Sequence, residues 1–119
     1  MLTRRRLGAA FLAASSLLMA QRRYGNGRGL INRTINDLRR ASRLERGGRE
    51  AERYDNAIRH LADFERALDR DRFDGGRLDE AIDDLKHVIE HNTLGPRERS
   101  ALIEDIRELR RFREREHRY

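Results

Sequence analysis

Apolar residues recur along most of this chain at alternating intervals of three and four, with charged residues filling the gaps, which is the pattern of one buried helix face. The most regular stretch runs from Asp74 to Arg99, where Leu78, Ala81, Ile82, Leu85, Val88 and Ile89 share a face. Gly75 and Gly76 break what precedes it, and Asn92 and Thr93 end it. Gly95 and Pro96 then stop the helix and preset the next one, because proline lacks an N–H and its φ suits a first helical position. Upstream, Ile31, Ile35, Leu38 and Ala41, bordered by Thr34 and Ser42, predict a first helix from Leu30 that Gly47 and Gly48 close. A second is expected from about Arg49 to Arg70, carrying Ala51, Tyr54, Ala57, Ile58, Leu61, Phe64 and Leu68 on one side. A fourth begins at Pro96 with Leu102, Ile103, Ile106, Leu109 and Phe112, and frays into Arg113 to Tyr119.

Aligned on their faces, the helices repeat. Tyr54, Ile58, Leu61 and Phe64 return 24 positions later as Leu78, Ile82, Leu85 and Val88, and 24 later again as Leu102, Ile106, Leu109 and Phe112. Duplication of a helix-plus-turn unit gives this spacing, and so do equal helices joined by short loops. In both cases a short connection folds each helix back on its predecessor. The expected fold is therefore all-α, a small antiparallel bundle of three to four helices over residues 30–119, held mainly by packing of the apolar faces.

The N-terminus has a different layout. Arg4, Arg5 and Arg6 precede an apolar run from Leu7 to Met19, interrupted by Gly8, Ser15 and Ser16, and a small residue, Ala20, closes it. This is the layout of a secretory signal. The run falls short of the about 20 apolar residues that span a bilayer. Residues 1–20 are expected to be a signal helix cleaved after Ala20, although Leu18 is large for its place and an uncleaved anchor stays open. Residues 21–29, with three glycines, three arginines and no periodicity, are expected to be a flexible linker.

Thr3-Arg4-Arg5-Arg6-Leu7 resembles a twin-arginine signal, with Gly8 departing from its second apolar slot; the resemblance implies export after folding, against an ordinary secretory route. Gly76 to Asn92, through Gly76, Leu78 and Glu80-Ala81-Ile82, resembles a tetratricopeptide helix. The period of 24 departs from that family's 34 residues, so no peptide binding is carried over. The longer run LDEAIDDLKHVIEHNTLGPRERSAL resembles small bacterial proteins predicted to be exported, a resemblance that implies export and brings no chemistry.

Charge narrows the partners. The chain is +6 overall, but residues 1–20 carry +3 of this, leaving residues 21–53 at +6, 54–96 at −5 and 97–119 at +2. An acidic hairpin between basic ends favours packing onto its own termini or onto a second copy; the plainer reading is a set of solvated helix faces. Nucleic acid is not expected as a partner, given the export signal, the acidic middle, and Glu108, Glu114 and Glu116 among the C-terminal arginines. The membrane is engaged only through the signal before cleavage. With no cysteine there is no disulfide, thiolate metal site or cysteine nucleophile.

His87 and His91 stand four apart, with Asp83 a turn earlier and Glu90 alongside, and two imidazoles at this spacing can share one divalent metal. The pair lacks the glutamate that follows the first histidine in zinc proteases, since Val88 stands there. Exposed histidines among acids are the commoner arrangement. Asp69, Asp71 and Asp74 before Gly75-Gly76 suggest a calcium loop, but Phe73 and Gly75 fall where oxygen ligands belong and Ile82 replaces the closing glutamate. No nucleophile with a base and no phosphate-cradling loop is present, so neither an enzyme nor a cofactor is expected. The expected function is that of a non-catalytic exported protein binding an unidentified protein partner or itself, with a metal-binding or metal-sensing protein of the periplasm as the alternative.

Overall fold

A computed structural model describes residues 24–43 and 47–117. Those residues form four helices and no strand: α1, helical over 24–42, α2 (Arg49–Asp69), α3 (Gly75–His91) and α4 (Pro96–His117). The expected signal, with Arg4, Arg5 and Ala20, lies outside the described residues, as does Tyr119. No helix among the described residues is long and apolar enough to cross a membrane.

Each helix buries positions spaced three and four apart. Tyr24, Gly27, Ile31, Thr34, Leu38 and Ala41 are buried on α1, Tyr54, Ala57, Leu61, Phe64 and Leu68 on α2, Leu78, Ala81, Ile82, Leu85 and Val88 on α3, and Leu102, Asp105, Ile106, Leu109 and Phe112 on α4. This is the seam spacing of antiparallel bundles. The 24-residue register joins equivalent core positions on α2, α3 and α4. The contacts define the order of the bundle. Arg28 on α1 pairs with Asp69 near the end of α2 at 2.6 Å, and Arg33 on α1 bonds Asp105 on α4. Arg113, late in α4, meets Asp79, early in α3, through Nε–Oδ1 at 2.5 Å and Nη2–Oδ2 at 2.8 Å. Each neighbouring pair is antiparallel, with α1 closing the ring between α2 and α4. The basic α1 and α4 thus meet acids of the middle hairpin within one chain.

One boundary differs from expectation. Residues 24–29 belong to α1 rather than to a flexible linker, with Tyr24 and Gly27 buried. Gly27 falls on the core seam between Tyr24 and Ile31, and a Cβ there would stand 2.7 and 2.9 Å from two ring carbons of Phe112. The glycine is a seat for a ring, not a break. Gly75 and Gly76 stand at the boundary expected of them and open α3, which Asp74 caps by accepting from the Arg77 N–H at 3.1 Å.

The α2–α3 turn is closed locally. Asp71 adopts a positive φ of 58°, while the Arg72 N–H bonds the Ala67 carbonyl and the Asp71 N–H bonds that of Leu68, each at 2.9 Å. This paired bonding satisfies carbonyls that a helix end leaves open. The turn delivers Phe73 to Phe64 and Phe112, and the three rings pack edge to face with centroids 5.5 to 6.2 Å apart. Phe112 is 3% exposed and belongs to this cluster. At the opposite end of the hairpin Asn92 is buried. Its amide donates to the Glu50 carbonyl at 3.1 Å and its oxygen accepts from Arg53 at 3.0 Å, while the Thr93 N–H bonds the Glu50 carboxylate at 2.9 Å.

Candidate functional site

Three arrangements on this bundle have chemical content. The first is inside it. Asp105 is 1% exposed and stands 24 residues after Ala81 and 48 after Ala57, at a position the other helices fill with a small apolar residue. Its Oδ1 accepts from Arg33 Nε at 3.1 Å and lies 3.0 Å from Nη2, which bonds Glu108. Its Oδ2 has no hydrogen-bond partner among the described residues, and the Asp37 carboxyl lies beside it. Burial, and then the contact with Asp37, push the Asp105 carboxyl up to about 8 against the pull of Arg33. This group holds a proton at neutral pH, but its near-complete burial keeps substrates from it. Sequence reasoning missed it, although an acid in register with Ala57 and Ala81 was the available signal.

The second is a shallow groove between α3 and α4, of about 220 Å3, lined by Ile89, Ile103 and Ile106 and edged by Lys86, Glu90, Arg107 and Arg110. Ile89 and Ile103 are only partly covered. Three cations against one acid make the rim basic. The guanidinium of Arg99 sits nearby, donating to the Ile89 carbonyl at 3.0 Å and so capping the end of α3.

The third is the histidine pair. His87 and His91 are exposed on the last turns of α3, their rings nearly parallel at 18° with centroids 5.8 Å apart. Glu90 joins them, its Oε2 lying 3.8 Å from His91 Nε2, and one ligand atom from each of the three lies within 4.8 Å of the others. Asp83, on the same stripe, is not part of this group. His60 is placed elsewhere, on α2, where Nδ1 meets Asp84 and Nε2 lies 4.0 Å from Glu80. The aspartates that suggested a calcium loop are separately engaged: Asp69 with Arg28, and Asp74 with the backbone and side chain of Arg77.

No protein-family model, curated protein or solved structure matches this chain. Its fold and chemistry therefore rest on its own residues, which define a small antiparallel bundle with an apolar groove on one face.

Proposed function

We propose that this is a non-catalytic exported protein that works by binding, taking a protein partner or a second copy of itself along the α3–α4 face. The observation that carries this reading is the groove over Ile89, Ile103 and Ile106. At about 220 Å3 it falls below the roughly 300–1,000 Å3 usual for small-molecule pockets, and its size suits an aliphatic side chain from another protein. Its basic rim calls for acidic residues around that side chain, which favour encounter and orientation. Residues 54–96 of a second copy, at −5, carry such charge.

Sedimentation of the chain lacking residues 1–20 tests the self-binding form. Association at high concentration that Ile103→Asp or Arg107→Glu/Arg110→Glu abolishes, with helical content unchanged, supports it. A chain that stays monomeric, and that recovers no envelope partner sensitive to those substitutions, leaves the reading without support. Export is tested separately: the reading requires an extracytoplasmic chain beginning at Gln21, and the twin-arginine route further requires that Arg4→Lys/Arg5→Lys blocks it.

A further inference from the structure

We propose that His87, Glu90 and His91 form a binding site for one divalent transition-metal ion of the zinc, copper or nickel class, near the C-terminal end of α3. The ligand atoms already lie within 4.8 Å of one another. A four-coordinate ion with bonds of 2.0–2.1 Å needs neighbouring ligand atoms about 3.4 Å apart, and all three side chains are exposed and free to turn by that amount. The backbone does not have to move, because positions 87, 90 and 91 share one helical face.

The donor set selects the metal. Two imidazoles and a carboxylate suit zinc, copper and nickel, whereas calcium and magnesium favour all-oxygen sites. The helix end assists, since a cation near the last turn of a helix meets the negative end of its dipole; Arg99 on the Ile89 carbonyl shares that role without occupying the histidines. Three ligands from one exposed surface leave positions for water, making this an open site rather than a structural one. Glu90 also edges the α3–α4 groove, so an ion held here would leave the rim without a free acid. The ion site itself does not depend on the groove being occupied.

The test is titration of the full chain with zinc chloride, read by calorimetry, by thermal melting and by NMR of the imidazole rings. The expected result is one ion per chain, shifts of the His87 and His91 resonances with those of His60 unmoved, and a Tm rise of about 5 °C at saturating zinc. Because both histidines are exposed, His87→Ala and His91→Ala should fold and each lower affinity by about tenfold or more, with Glu90→Gln weakening it less. Unmoved His87 and His91 resonances in excess zinc, or full affinity in the doubly substituted chain, would overturn the assignment.

Discussion

Gly27 on α1 and Phe112 on α4 approach so closely that no side chain fits between them: a Cβ on the glycine would stand within 3 Å of the ring. The ring cannot swing aside, because Phe64 and Phe73 hold it edge to face. Within a helix, alanine is ordinarily better than glycine by about 1 kcal/mol. Here the sign reverses. Gly27→Ala is expected to lower stability by about 1–3 kcal/mol through overpacking, measured as a fall in the urea midpoint at constant slope. A stabilised variant would mean that α1 does not seat this ring.

Asp105 makes a pH prediction. Its carboxyl titrates near 8 in the fold, against an ordinary value of 3.8, so the folded state binds the proton more tightly than the unfolded state does. The stability this supplies is fully present below pH about 4 and is lost as pH rises through about 8. Asp105→Asn keeps the shape and removes the titration. It is expected to gain on the parent as pH increases from 5 to 9, and urea unfolding across that range checks it; parallel pH profiles would contradict the raised carboxyl.

Asn92 joins the end of α3 to the start of α2 through two side-chain bonds. Asn92→Ala leaves the Glu50 carbonyl without this donor and Arg53 without this acceptor. A loss of about 1–3 kcal/mol is expected, again from chemical denaturation. Asn92→Asp, which keeps the acceptor for Arg53 but loses the donor to Glu50, should retain part of the difference.

Tyr24 is 5% exposed and lies four residues after the expected cleavage point at Ala20. Tyr24→Ala is expected to cost about 3 kcal/mol, in the range of large-to-small core changes. A shortened chain starting at Leu30 should melt earlier than one starting at Gln21. Equal melting temperatures would return residues 24–29 to the role of a linker.

The helices were legible because their faces are written locally: the three-and-four spacing around Leu61, Leu85 and Leu109 needs no knowledge of partners, and Pro96 marks a helix start by its own covalent chemistry. At Gly25, Gly27 and Gly29 the local rule pointed the wrong way. They read as a flexible linker, yet all three lie in α1, and position 27 holds glycine because a ring from a residue 85 positions away needs the space. Gly75 and Gly76 read as the boundary before the third helix, and they form its first turn behind the Asp74 cap. The histidine pair was visible because a four-residue spacing on one helix nearly fixes its geometry. The Asp37–Asp105 contact was not, because it forms between helices whose pairing no local pattern specifies.

The Asn92 clasp has a consequence for motion. The hairpin of α2 and α3 is tied at one end by its own five-residue connection and at the other by the bonds from Asn92 and Thr93 to the first turns of α2. A unit fastened at both ends opens as a whole, so amide protons along its inner faces should exchange last and together. The first helix, held by side-chain pairs such as Arg28–Asp69 and Arg33–Asp105, is expected to come away sooner, exposing the ring seat before the hairpin yields.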